Sequence, residues 1–588
     1  MAAQAVTASA ATLYVWQNSP SPAPPFATWA SAARNIQDAI DAAAPGDDIV
    51  VTNGVYATGG RVVNGATNRV AIDKPVRVRS INGPAVTVIA GAPSPEPSYF
   101  GLGLGSVRCA YLGEGAQLSG FTLTNGYARI GFWGGGAFCE PSAVLTNCMV
   151  INNRAGDPEN DPVGGGVYGG TLYNCSLIGN VCHGEGGGAG ASTLFNCVIS
   201  GNEAFAAGGG GVSGGTLYNC LVTGNRAPGF GGGAFAATMY QCTVVSNSLN
   251  VIEGLEGAGV YGVTLYNCIV YHNGPQPNYS LATLNYSCTT PLPTNGLGNI
   301  TNEPAFVNPA AGDYRLRAGS PCIDTGTNLS ASITNDLDGR PRPLDGNGDG
   351  LAAFDMGAYE YKLPLHVWPG SSSPTPPYRT WATAAHTIQD AVDAAEAGDE
   401  IVVTNGLYAT GGRVALHGVI TNRVAVTKPV TVRSVNGPVV TVIQGYQVPG
   451  TTNGDTAIRC AVLTNGAALI GFTLTNGATG IGSDSELHHS GGGVYGWDYG
   501  AMVSNCVLAG NSAWSGGGGA YGGTLDYCTL TGNWAGGGGG AEGANLNNCQ
   551  VTGNSAGYGG GGAVYGTLNN CVLKGNSAGR EGGGTGAS

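Results

Sequence analysis

Thr216–Asn225 reads T-L-Y-N-C-L-V-T-G-N, and its counterparts recur down the chain. The cysteine returns at Cys148, Cys175, Cys197, Cys220, Cys242 and Cys268, each followed five residues later by Asn153, Asn180, Asn202, Asn225, Asn247 and Asn273. The pattern resumes at Cys506/Asn511, Cys528/Asn533, Cys549/Asn554 and Cys571/Asn576, with intervals of 21–27 residues within each run. A fixed internal motif at such a period marks a solenoid. Apolar residues stand three before the cysteine (Leu172, Leu194, Leu217) and two after it (Leu177, Ile199, Val222). Side chains alternate along a strand, so Cys and Cys+2 are expected on one inward face. Gly commonly precedes the asparagine, and both residue types tolerate left-handed backbone, so a turn is expected there.

Glycine runs such as Gly186–Gly188 and Gly208–Gly211 follow each unit, and no helical period survives them. Short strands broken by Gly and Asn turns fit the coil of a right-handed parallel β-helix, an all-β solenoid whose equivalent positions stack ~4.8 Å apart. Cysteine is then expected above cysteine inside. Asparagine is expected above asparagine at a corner, passing amide hydrogen bonds between coils. Aliphatic residues at fixed phase exclude a disordered Gly-rich tract.

The chain of 588 residues carries 104 glycines, only 10% charged residues, four lysines and a net charge of −13. That balance argues against nucleic acid as a partner, which needs basic patches. No apolar run is long enough to span a membrane. The sixteen cysteines invite a disulfide framework, but stacked inward cysteines have parallel Cβ vectors that suit packing better than bridging. Cys139, Cys182, Cys288 and Cys322 fall outside the ladder.

Two homologous copies follow one another. Trp29–Ala44 (W-A-S-A-A-R-N-I-Q-D-A-I-D-A-A-A) matches Trp381–Glu396, and Ile49–Gly60 matches Ile401–Gly412. Each opens with an amphipathic segment, with Ile36, Ala39, Ile40 and Ala43 on one helical face in the first. A solenoid needs its open end covered, so a capping helix is expected in each copy. The expected boundaries are 1–12 for a disordered start or signal-peptide remnant, 13–302 for the first β-helix, 303–362 for a closing module, and 363–588 for the second β-helix. That copy stops in mid-repeat at Ser588, from which a piece of a longer protein is expected.

The openings I-Q-D-A-[IV]-D-A-A and G-D-[DE]-I-V-V-T-N-G-x-Y resemble bacterial right-handed parallel β-helix proteins of the pectin-lyase-like superfamily. Units such as Gly553–Gly562 (G-N-S-A-G-Y-G-G-G-G) resemble repeats of chlamydial polymorphic outer-membrane proteins, although cysteine stands where those usually carry Phe. Asp313–Tyr361, with S-P-C-I-D-T-G and D-M-G-A-Y-E, resembles the end of choice-of-anchor Q surface proteins. These resemblances imply an exported, bacterial, surface-attached protein and do not specify chemistry.

Many proteins of such a fold cleave acidic polysaccharides, which takes clustered carboxylates. Here the first copy's acids are scattered over Asp157, Glu159, Asp161, Glu185, Glu203, Glu253 and Glu256. Asp484, Glu486, His488 and His489 form a polar insertion in the second. Two binding features stand out. Asp345, Asn347, Asp349 and Gly350 follow D-x-N-x-D-G, either the start of a calcium loop completed by Asp355, Asp336 or Asp338, or an Asx-rich turn. Two residues before the ladder cysteines stand Tyr173, Phe195, Tyr218, Tyr240 and Tyr266, where the second copy has Ser504, Asp526, Asn547 and Asn569. A position that accepts Asp and Asn should face solvent, so an exposed aromatic ladder is expected, either a solenoid stiffener or a platform for sugars. The function expected is non-enzymatic: a rigid surface or matrix protein for adhesion or glycan binding, its partner an extracellular polysaccharide or a host or neighbouring cell surface. The alternative is a polysaccharide lyase or glycoside hydrolase.

Overall fold

The computed structural model describes residues 10–96, 99–156, 164–206, 208–250, 257–329, 333–416, 420–482, 486–580 and 582–586. The chain divides into two compact units, Met1–Tyr361 and Lys362–Ser588. Each is a right-handed parallel β-helix.

In the first unit three long sheets run the length of the solenoid: sheet A with eleven strands, B with ten and C with ten, plus a shorter five-stranded sheet D. The second unit repeats the plan with eight, seven, eight and four strands. One coil shows the path. Thr171–Tyr173 lies in sheet A, Ser176–Ile178 in B, Val181–Cys182 in D, and Ala189–Gly190 in C. Strands pair in parallel with the next coil, Leu172 beside Leu194 and Leu177 beside Ile199.

The cysteines sit in the corner between sheets A and B rather than within a strand; the sheet B strand begins one residue later. Two left-handed residues make the corners. One precedes the cysteine (Asn147, Asn174, Asn196, Asn219, Gln241 and Asn267, φ 51–54°). The other precedes the ladder asparagine (Asn152, Gly179, Gly201, Gly224, Ser246 and His272, φ 53–65°). The corner so turned points both Cys and Cys+2 into a core where Cys148, Cys175, Cys197, Cys220, Cys242 and Cys268 are buried. All sixteen cysteines are free thiols. Each ladder thiol hydrogen-bonds back to the carbonyl two residues earlier, as Cys175 Sγ does to Tyr173 O at 3.3 Å.

The asparagines lie just past the second corner and point inward. Asn180 Oδ1 accepts from both the backbone N–H and Nδ2 of Asn153, at 3.0 Å each. The same pair of hydrogen bonds links Asn180 to Asn202, Asn202 to Asn225, Asn225 to Asn247 and Asn247 to Asn273 at 2.9 Å. The second hydrogen of Nδ2 goes to a carbonyl of the preceding coil, as in Asn202 to Leu177 O at 2.9 Å. The amides of the ladder asparagines are thereby satisfied. The glycine runs make room for them. A Cβ on Gly188 would meet Gly211 O at 2.7 Å and the Asn202 amide at 3.1 Å.

The helix of each copy is shorter than the repeated opening. It spans Ile36–Ala42 in the first unit and Ile388–Ala394 in the second, because Asn35 and Thr387 cap its start with their side chains and Ala43 and Ala395 are already extended. Ile36, Ala39 and Ile40 pack against the first strands of sheets A and C.

Residues 303–361 do not merely close an end. Their described part, 303–329 and 333–361, lies along the outer side of sheet B, where Phe306, Tyr314, Leu316, Cys322, Ile323 and Met356 cover Leu221, Val245, Ile269 and Cys288. Asn267 ties the two layers, donating to Thr327 O at 2.7 Å and accepting from Thr327 N–H at 2.8 Å. Among the described residues no helix is long and apolar enough to cross a membrane.

Candidate functional site

The five aromatic residues of sheet A form a continuous stack. Ring centroids are 4.9 Å apart for Tyr173–Phe195, 4.6 Å for Phe195–Tyr218, 5.0 Å for Tyr218–Tyr240 and 5.3 Å for Tyr240–Tyr266, with interplanar angles of 4–11°. One feature corrects the expectation of an open platform. Parallel strands at ~4.8 Å spacing press each ring face onto the next, so the faces are spent within the ladder. Only Tyr173 is exposed (39%); Phe195, Tyr218, Tyr240 and Tyr266 are half-buried and present edges. Tyr173 tops the stack because the coil before it carries Thr146 in that register.

Beside Tyr173 stands a second aromatic group that no repeat spacing marks. Tyr111, Phe138 and Tyr168 occupy one register on sheet C and stack at 6.0 and 5.4 Å. Trp133 leans on Tyr168 at 4.5 Å. A cleft of about 480 Å³ opens between this group and sheet A, lined by Trp133, Phe138, Glu140, Tyr168, Thr171 and Thr193 among others. Thr171 and Thr193 are on the same strands as Tyr173 and Phe195, two residues away and therefore on the same outward face. The cleft floor thus runs directly alongside the first two rungs of the stack.

Buried Arg108 fixes the wall. Its guanidinium donates to Trp133 O (2.7 Å), Gly134 O (2.8 Å) and Asn68 Oδ1 (2.8 Å), and lies 5.4 Å from the Phe138 ring. Burial lowers its pKa to about 10, so it stays charged at neutral pH. Glu140 accepts from Tyr111 Oη–H at 3.0 Å. Burial, and then that hydrogen bond to Glu140, raise the Tyr111 hydroxyl to about 12. Phenol and carboxylate are both held in place, and Glu140 is the one carboxylate among the lining residues. The arrangement suits binding of a polyhydroxylated chain: aromatic walls for C–H faces, hydroxyls and one carboxylate for hydrogen bonds.

Asp345, Asn347 and Asp349 share one loop, but their oxygens are turned on the loop's own backbone. Asp345 accepts from Gly348 and Gly350 N–H (2.7 and 2.9 Å), Asn347 from Asp349 N–H (2.8 Å), and Asp349 from Leu351 N–H (2.8 Å). Asp324, which the D-x-N-x-D-G pattern does not include, also binds this loop, accepting from Asn347 N–H at 2.7 Å. Asp355 is taken up elsewhere. It is buried and accepts from Asp324 and Tyr361 N–H (2.8 and 2.5 Å). Among the described residues no group of three or more His, Cys, Asp or Glu is gathered to hold a metal ion. As arranged, the donors fit an Asx-rich turn better than a calcium shell.

Asp355 belongs instead to a buried ionic cluster with Asp336, Glu360 and Arg342. Arg342 Nε lies 3.2 Å from Glu360 Oε2, both side chains fully buried, yet too oblique for a hydrogen bond; its Nη2 donates to Gly357 O at 2.9 Å. One guanidinium faces three acids. Burial outweighs its attraction, pushing Glu360 up to about 7 and Asp355 well above the usual carboxylate range. Asp355 and Glu360 are the acids of D-M-G-A-Y-E, so the motif's role here is a structural one.

The acidic loop Asp157–Asp161, together with Glu253, Glu256 and Asp484, lies outside the described residues. Glu486–His489 forms one short helical turn, where Glu486 accepts from Tyr521 Oη–H at 2.5 Å and His488 is buried.

No protein-family model matches the chain, and no curated protein does. Solved structures that align with it include a pectate lyase (15% identity, 60% of this chain and 96% of that one, TM-score 0.35). A carrot pectin methylesterase aligns at 12% identity over 51% of this chain and 91% of its own, TM-score 0.28. An alginate lyase from Paenibacillus aligns at 14% identity over 45% and 94%, TM-score 0.22. These are likenesses of fold, and no functional statement about this chain rests on them.

Proposed function

We propose that this is an exported, surface or matrix repeat protein that binds extracellular polysaccharide, free or on a neighbouring cell, without cleaving it. The observation that carries the reading is the cleft between Trp133 and the top of the aromatic stack. It is rigid, aromatic on one side and hydroxyl-lined on the other. The role given to the stack differs from that of a sugar platform. Phe195, Tyr218, Tyr240 and Tyr266 stiffen the face, and Tyr173 is the one exposed ring of the five. A hydrolase of the usual two-carboxylate kind would need a second acid across the substrate from Glu140, and the cleft's lining holds no second carboxylate.

The test is the full chain on a panel of acidic and neutral oligosaccharides, reading retention and product release together. Retention without new reducing or unsaturated ends, lost in Trp133→Ala and Tyr173→Ser, supports the reading. Product release overturns it, and so does binding that both variants keep. Calcium is kept only as a lesser proposal for the Asp345–Asp349 loop, where binding would have to turn these oxygens away from the loop's own N–H groups, with Asp355 left out. A calorimetric titration without heat, and melting unchanged by calcium, ends that part.

A further inference from the structure

The second unit carries a cleft that the aromatic-ladder pattern does not include. Residues Tyr446–Ile458 fold back on themselves, with antiparallel bridges Tyr446 to Ile458 and Val448 to Thr452. This loop is fastened to the corner between sheets B and D. Gln447 Nε2 donates to Gly510 O at 2.8 Å, and Asn453 Nδ2 to Ser512 Oγ at 2.9 Å. Asn453 Oδ1 accepts from Thr479 N–H at 3.2 Å, and Thr479 Oγ1 accepts from Trp514 N–H at 2.9 Å. The walls are therefore pinned before any ligand arrives, which lowers the entropy cost of binding.

Between loop and corner lies a cleft of about 440 Å³, within the roughly 300–1,000 Å³ usual for small-ligand sites. Trp514 and Trp534 stand in it 51% and 41% exposed. Tyr558, also exposed, reaches toward them across Gly536, where a Cβ would meet its hydroxyl at 2.9 Å and Trp514 O at 2.8 Å. Exposed aromatics gathered on one spot mark an interaction site in a way that scattered ones do not. The rest of the lining is Gln447, Thr452, Asn453, Ser512 and their neighbours, and none of it carries a charge.

Indole faces stack on the C–H faces of pyranose rings, and amides and hydroxyls pair with sugar hydroxyls. With no cation to meet a carboxylate, in a chain of net charge −13, a uronate is disfavoured against an uncharged sugar. We infer that this cleft binds neutral sugar units of a polysaccharide chain, at a site independent of the first unit's cleft.

The experiment titrates the full chain with cellohexaose, xylohexaose and mannohexaose, with hexagalacturonate as the acidic comparator, following tryptophan emission and calorimetric heat. At least one neutral oligosaccharide is expected to shift the emission and bind. Affinity should fall tenfold or more in Trp514→Ala and Trp534→Ala and be retained in Trp133→Ala. Trp514→Phe, which keeps a ring, should recover part of it. Gln447→Ala, which leaves both indoles in place, should weaken it severalfold; these two variants decide the matter if an alanine variant fails to fold. Binding of hexagalacturonate alone, no binding at millimolar neutral sugar, or binding indifferent to Trp514 and Trp534 overturns the inference. Binding lost only in Trp133→Ala would overturn it while leaving the first unit's reading intact.

Discussion

In the first unit, the outward residue before five successive A–B corners is Tyr or Phe, and the five rings stack at 4.6–5.3 Å. In the second, the same register holds Ser504, Asp526, Asn547 and Asn569, linked in part by hydrogen bonds such as that from Asn569 Nδ2 to Asn547 Oδ1 at 2.9 Å. Sheet B differs likewise. Leu221, Val245 and Ile269 are outward and apolar under residues 303–361, whereas Val507 and Thr529 are half-buried and Gln550 and Val572 exposed in the second unit. Inside, nothing comparable changes: both units run cysteine corners and asparagine amides at the same bond lengths. The interior of a parallel coil is fixed because each side chain must match its copy above and below. The exterior is free to be a stack, a cover or a cleft.

The sharpest way to break this comparison is to remove the one buried cation of the cover. Arg342→Met leaves Asp336, Asp355 and Glu360 facing one another in the core. Loss of one partner from a buried ion pair costs about 3–5 kcal/mol. The calorimetric transition of the first unit should drop markedly and that of the second stay put; equal shifts would show that the units do not unfold separately.

Asn202→Ala and Asn533→Ala test whether the interiors are as alike as their geometry. Each orphans the backbone N–H and Nδ2 of the coil before, for about 2–3 kcal/mol. Both units should lose similar stability, read as similar falls in their transitions. A first unit that barely responds would mean the ring stack outside carries what the amides were assigned.

A pH series separates the units next. Glu360 and Asp355 hold protons more tightly folded than unfolded, owing first to burial. A raised carboxyl stabilises fully below its unfolded pKa and loses that contribution as pH rises through the folded one. For Glu360, whose ordinary value is 4.5 and folded value about 7, first-unit stability should fall between those limits and level off above them. Glu360→Gln should flatten that slope in the first unit and leave unchanged whatever slope Glu542, also raised by burial, gives the second. A slope that survives Glu360→Gln would assign the protons to the other raised acids of the first unit, Asp324, Asp336 and Asp355.

The smallest effect is expected from dressing one unit as the other. Tyr218→Ser with Tyr240→Ser gives the first unit the second's polar register. Stacked pairs contribute about 0.5–1.5 kcal/mol each beyond burial, so a drop of a few degrees in melting is expected with the β-sheet circular dichroism unchanged. Collapse of the fold would make the stack a folding requirement rather than a stiffener.

The coil was legible because a period reports register directly: residues one repeat apart must be neighbours in space. The outward position of Tyr173 could be argued from Asp526 and Asn547 in the other copy. Its neighbours' lost ring faces could not, since stacking depends on strand spacing and ring rotamer together. Trp133 and Tyr168 come from different coils and Trp133 from outside the repeat, so no spacing connects them. The Trp514 cleft depends on where one irregular loop, Tyr446–Ile458, is fastened. The place of residues 303–361 along sheet B depends on outward side chains in the same way. Apolar Leu221 and Ile269 sit on the strand face that alternation assigns to solvent, and that anomaly was the available sign of a cover.

The asparagine amides have a consequence for how such a protein can change over generations. Between the ends of a run, each amide bonds to the backbone and asparagine of the coil before and to the asparagine of the coil after, in the same pattern from coil to coil. Duplicating or deleting a whole coil in the gene therefore leaves every remaining amide with the neighbours it had. Length becomes a heritable quantity that varies in single-coil steps, while a gain of a few residues inside a strand would set the whole stack out of phase.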